Sequence, residues 1–144
     1  MKCINETKFS FPAKSTNEAF ARSAVAAFVM QLDPTISELA DIKTSVSEAV
    51  TNSIVHGYKG QKGVIYITVQ IFENNTITIK IRDKGCGIED IEKAMEPLFT
   101  TGGDERAGLG FAVMQSFMDS IRVRSEVNKG TTVTLKKKIT KNDP

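Results

Sequence analysis

Cysteine is scarce in this chain. Cys3 and Cys86 are its only two, and their spacing fits neither a metal motif nor a disulfide framework. That scarcity suits a reducing, intracellular setting. Long apolar runs are also missing. No stretch approaches the roughly 18 residues that span a bilayer, and the opening MKCINETKFSF is too polar for a signal peptide. The expected location is cytoplasmic, with no membrane partner. There is no large excess of charge either: 19 basic and 17 acidic residues leave a net +2. That balance is too even for an electrostatic nucleic-acid binder, so no direct nucleic-acid contact is expected. The run Lys136-Lys137-Lys138 is locally basic and reads as a solvated strand end. A Gly-x-x-x-x-Gly-Lys loop is absent, which excludes a P-loop. No repeat, linker or low-complexity segment divides the 144 residues. The expectation is one domain over 1–140 with a frayed tail, 141–144.

What is present is a succession of helical and alternating patterns. Phe9 and Phe11 alternate within a short first strand, Ile4–Ala13. Ser15 and Glu18 match a capping box ahead of a helix from Thr16 to Leu32, whose apolar residues recur at helical spacing. Asp33-Pro34 breaks that helix. A second helix is expected from about Ser37 to His56, ended by Gly57. VIYITVQIF (64–72) and TITIKIR (76–82) alternate around a turn at Asn74-Asn75 and predict a hairpin. A short helix over 90–96, a glycine-rich loop over 99–110 and a helix over 111–118 follow. A second hairpin turns at Asn128-Lys129-Gly130. One twisted sheet with helices on one face would bury these elements, as a two-layer α/β sandwich.

The second helix raises a functional question. At about 100° per residue, Leu39, Ile42, Val46, Val50 and Ser53 share one face. Glu48, Asn52 and His56 form a stripe on the other. A solvated face looks the same. So does a site in which an amide oxygen holds Mg²⁺ and a carboxylate takes a proton. His56 reads as a packing or hydrogen-bonding group at the helix end.

Two glycine motifs follow. Asp83-Lys84-Gly85-Cys86-Gly87 comes directly after a strand. Its Asp can accept from an exocyclic amine, and its glycines let a ring or phosphate approach the backbone; a plain glycine turn is the alternative. Gly108-Leu109-Gly110 stands at the start of the expected helix over 111–118, where free N–H groups favour phosphate.

In this order, the three stretches resemble the N box and two glycine boxes of the ATP-binding superfamily of gyrase-B-type ATPases, heat-shock-90 chaperones, histidine kinases and MutL. The resemblance implies a Bergerat-type ATP-binding fold, with a mixed, mostly antiparallel sheet. Gly130-Thr131-Thr132 resembles a further element whose Thr, here Thr132, helps recognise adenine. Only 47 residues precede Glu48 and no transducer follows the sheet, so a free-standing nucleotide domain is expected. NEAFAR, QLDPT, SEAVTNSIVHGY, PLFTT and KGTT together are similar to the bacterial anti-sigma F serine kinases of sporulation, across nearly the whole chain.

That resemblance implies ATP and Mg²⁺ as cofactors and a homodimer joined through the first strand and helix. It implies two further partners: a sporulation sigma factor to sequester, and an anti-anti-sigma factor phosphorylated on serine. By resemblance Asn52 is the Mg²⁺ ligand, Glu48 the general base and Asp83 the adenine-binding carboxylate. Gly85, Gly87, Gly108 and Gly110 shape the pocket. Arg106 touches the γ-phosphate, Thr100 and Thr101 belong to a lid loosened by Gly102-Gly103, and Arg22 lies on the partner-binding face. Two other readings stay open: a nucleotide-gated binding switch without useful catalysis, and a plain ATPase in which Glu48 activates water.

Overall fold

The computed structural model describes residues 1–96 and 104–140, without the side chains of 104–108. Five strands make one sheet: β1 (Cys3–Pro12), β2 (Val64–Phe72), β3 (Thr76–Asp83), β4 (Ser120–Glu126) and β5 (Gly130–Lys138). Their order is β1-β2-β3-β5-β4, and every pairing is antiparallel, so the expected parallel component does not occur among them. The helices are α1 (Asn17–Val29), α2 (Ile36–Asn52), α3 (Ile91–Ala94) and α4 (Asp104–Phe117).

Alternation explains the layering. On β2, Ile65, Ile67, Val69 and Ile71 are buried, and on β3 so are Ile77, Ile79 and Ile81. They meet Ile42, Val46 and Val50 of α2, Val25 and Val29 of α1, and Phe111 and Met114 of α4 in one core. Burying each such side chain contributes about 1.5–3 kcal/mol. A register slip of one residue would turn the whole set to the opposite face, so this pattern pins the pairing. The alternate residues, including Tyr66, Lys80, Arg82 and Thr134, stand on the uncovered face.

Some local expectations shift. Ser15 does not cap α1: the N-cap position is Thr16, with no side-chain bond. The capping box belongs to α2, where Thr35 Oγ1 accepts from Glu38 N–H at 3.0 Å and Glu38 Oε1 accepts from Thr35 N–H at 2.9 Å. α2 does not run to His56 as regular α-helix. It ends at Asn52 and continues as a π turn, Ser53–Gly57, closed by Tyr58 N–H to Ser53 O at 2.9 Å. α4 starts at Asp104, so Gly108 and Gly110 lie inside a helix rather than in a loop before one. Just past β5, Thr140 is held by α2: its N–H and hydroxyl both donate to Glu38 Oε2 at 2.9 Å.

Candidate functional site

The end of α2, the end of β3 and the turn after it enclose a cleft of about 990 Å³. Asp83 forms its floor. As the last residue of β3 it faces the helices and is 4% exposed. Its Oδ1 accepts from Gly85 N–H at 2.9 Å and Thr131 N–H at 3.3 Å. Oδ2 has no hydrogen-bond partner among the described residues and is left for a donor from the cleft. Gly57 lies against it without crowding it: a Cβ there would sit 2.9 Å from Oδ2.

The π turn makes this approach possible. Wide turns of this kind recur at functional sites because they re-aim a helix end. Here the turn brings Gly57 to the DKGCG segment, where Cys86 N–H donates to Gly57 O at 2.9 Å. A Cβ on Gly85 would strike the Gly57 carbonyl, so the close approach requires glycine. Gly87 adopts φ +76. Tyr58 braces the turn, its hydroxyl accepting from Lys84 N–H at 2.7 Å and donating to Val64 O at 2.6 Å.

Thr131, not Thr132, reaches the cleft. β5 pairs Thr131 with Asp83, so Thr131 shares its inward face and Thr132 points to the opposite side of the sheet. Thr131 Oγ1 lies 2.8 Å from Ser125 Oγ, which accepts from Ile88 N–H at 2.7 Å. Ser125 carries no motif of its own. Only the β4–β5 pairing, which places it opposite Thr131, marks it.

Glu48 and Asn52 stand one turn apart on α2, and the stripe they form is not a solvated face. Asn52 is 9% exposed, and its Nδ2 is buried without a partner among the described residues. Both side chains face Gly110 of α4: a Cβ there would lie 3.1 Å from Glu48 Oε2 and 3.3 Å from each Asn52 amide atom. Asn52 lines the cleft beside Asp83, and Glu48 opens on the other side into a shallower groove between α1 and α2. Arg22 lies in that groove, donating to Glu18 Oε1 at 2.8 Å and Ser47 Oγ at 3.4 Å. His56 lines the cleft. Gly108 and Arg106 belong to the N-terminal half of α4, while Thr100 and Thr101 lie outside the described residues.

The geometry suits a nucleotide. Asp83 Oδ2 can accept from an exocyclic amine, and the glycines permit the close approaches of protein segments that shape the cleft. Asn52 offers an amide beside a carboxylate. Among the described residues no helix is long and apolar enough to cross a membrane.

Residues 11–137 match the family described as Histidine kinase-like ATPase domain. An anti-sigma F factor of Clostridium botulinum (strain Eklund 17B / Type B) is 59% identical over 136 residues, 93% of this chain and 94% of that protein. One from Geobacillus sp. (strain WCH70) is 57% identical over 139 residues, 95% of this chain and 94% of that protein. Among solved structures, the RsbU and RsbW domains of a Mycobacterium tuberculosis protein share the fold. That match has a TM-score of 0.69 at 19% identity and covers 94% of this chain and 32% of that one. A blue-light activated histidine kinase of Erythrobacter litoralis matches with a TM-score of 0.57 at 17% identity, over 85% of this chain and 61% of that one. The chain belongs to the anti-sigma F factor family, within the histidine kinase-like ATPase domains.

Proposed function

We propose that this protein binds ATP in the Asp83 cleft, sequesters a sporulation sigma factor, and transfers the γ-phosphoryl group to a serine of an anti-anti-sigma factor. The observation that carries the kinase reading is the pairing of Glu48 with Asn52 against Gly110, at the junction of cleft and groove. A pure nucleotide switch has no need of a carboxylate there.

Asp83 Oδ2 accepts from the adenine amine, and Gly57 carries no Cβ to crowd that oxygen. Asn52 Oδ1 would be the protein ligand of a Mg²⁺ held mainly by phosphate oxygens, which needs only one or two protein ligands, and the buried, unpartnered Nδ2 is left to donate to a phosphate oxygen. When bound, that ion neutralises charge on the transferred group. Glu48 faces the groove from which a serine hydroxyl would arrive. As the serine oxygen bonds to the γ-phosphorus, the bond to the β-phosphate oxygen breaks, ADP leaves, and the hydroxyl proton passes to Glu48. Such transfers depend on positioning and charge stabilisation more than covalent chemistry. Arg106 is assigned to the γ-phosphate and Arg22, held by Glu18 and Ser47, to the partner-binding face.

A homodimer through β1 and α1 is part of the proposal. β1 is an edge strand, and Phe20 of α1 packs against Phe9 and Phe11 yet is 52% exposed. Ile4, at 57%, is exposed on the same strand edge. Incubation with γ-labelled ATP and a candidate acceptor tests the function, with acceptor label and free phosphate counted separately. Label on the acceptor's serine supports it. Label released only as phosphate would make the protein an ATPase instead.

A further inference from the structure

The even charge total conceals a segregation. On the uncovered face, β3, β5 and the edge strand β4 present every second residue outward. Lys80, Arg82 and, just past the strand end, Lys84 come from the first, Lys136 and Lys138 from the second, and Arg122 and Arg124 from the third. All seven are exposed. The one acidic residue pointing the same way on these strands is Glu126, and its carboxylate lies 3.4 Å from Lys129. Seven of 19 cations and one of 17 acids therefore stand here, leaving 12 cations against 16 acids elsewhere.

The seven are arranged in rows. Register aligns Arg82, Thr132 and Arg124 across the three strands, and Lys80, Thr134 and Arg122 in the next row. Strands lie about 4.8 Å apart, so each row holds two cations about 10 Å apart with a hydroxyl between them. Along a strand the cations recur about every 6.8 Å. None of the seven forms an ion pair with a carboxylate among the described residues. At the margin, Arg82 and Lys84 sit over the Tyr66 ring, 5.3 and 5.2 Å from its centroid.

We infer that this sheet face binds the phosphate backbone of a nucleic acid. A protein partner would need apolar or aromatic anchors at the centre of its footprint, and the outward residues of these three strands include none. A face of one charge sign, interleaved with threonine hydroxyls, is the chemistry that contacts phosphates. It lies on the opposite side of the sheet from the Asp83 cleft, so it is independent of nucleotide binding there.

The test is fluorescence anisotropy of a labelled duplex DNA of arbitrary sequence with the full chain, from 50 to 200 mM salt. With six phosphate contacts, affinity should fall by about 10³-fold over that range. The double variant Arg122→Glu/Arg124→Glu, on the exposed edge strand, should bind at least tenfold more weakly at 50 mM. Its log–log salt slope should be shallower by about two. Lys136→Glu, on a different strand, should weaken binding as well, which guards against a fold-specific artefact in β4. Saturating Mg·ATP should leave DNA binding unchanged. Four outcomes would overturn the inference: no binding at 50 mM, binding undiminished in folded variants, displacement by Mg·ATP, or equal competition by polyglutamate at matched charge. The last would point to an acidic protein surface.

Discussion

Replacing Gly110 by alanine separates two explanations of that residue. If glycine is there for helix flexibility, alanine should help: it gains about 0.8–1 kcal/mol of intrinsic helix propensity. If it is there so that Glu48 and Asn52 can approach α4, alanine should harm chemistry without unfolding the protein. The added Cβ would lie 3.1 Å from Glu48 Oε2 and 3.3 Å from both Asn52 amide atoms. Ordinary contacts fall near 3.5–4.0 Å, so the two side chains must give by a few tenths of an ångström. Forcing them off their rotamers costs about 0.5–1.5 kcal/mol, which nearly cancels the propensity gain. Stability in urea should therefore change by less than about 1 kcal/mol. Catalysis is less forgiving, since a 1 Å misplacement can cost about 10²-fold. The expected loss in phosphoryl transfer is about tenfold. A folded Gly110→Ala protein whose transfer rate stays within twofold of wild type would refute this account of the site.

Asp83→Asn keeps the shape but turns an acceptor toward a donor, and should weaken ATP binding at least tenfold by calorimetry. Unchanged affinity would remove Asp83 from adenine recognition. Tyr58→Phe deletes two hydrogen bonds bracing the π turn and should cost about 1–2 kcal/mol in denaturant unfolding. Burial pushes the Glu38 carboxyl up, but the bonds from Thr140 and Thr35 outweigh it and hold it below its ordinary 4.5. Its folded value is thus lower than its unfolded one. The stabilisation is complete above 4.5 and is lost as pH falls through the folded value. Glu38→Gln should therefore be less stable than wild type at neutral pH, with the gap closing in acid. A pH-independent gap would show that the bonds do not depend on the charge.

Several of these residues could be read from sequence because their signals are local. Alternation in β2 and β3 fixes which face is buried, and the spacing of Glu48, Asn52 and His56 marks one stripe of α2. Whether that stripe was wet depended on α4, which the sequence places too late. Gly108 and Gly110 read as loop because glycine disfavours helix, yet packing against α2 carries the helix through them. Thr131 and not its neighbour Thr132 lines the cleft, a difference of one position that the text of the sequence does not mark. Strand parity is set by pairing with Asp83 across β3, a long-range fact. The Thr35–Glu38 capping box was in plain text behind Pro34, and the Ser15–Glu18 pattern matched the same template without forming the bonds. The π turn has no sequence signature beyond the glycine at its end. It is fixed by contacts with residues some 30 positions away.

The most direct test of the central claim is phosphoryl transfer to a serine-bearing anti-anti-sigma partner by Glu48→Ala, measured alongside its ATP affinity. The account predicts that ATP still binds as in wild type while transfer falls by roughly 10²–10⁴. Transfer at the wild-type rate, with the variant folded and ATP bound, would contradict the assignment of Glu48 as the base.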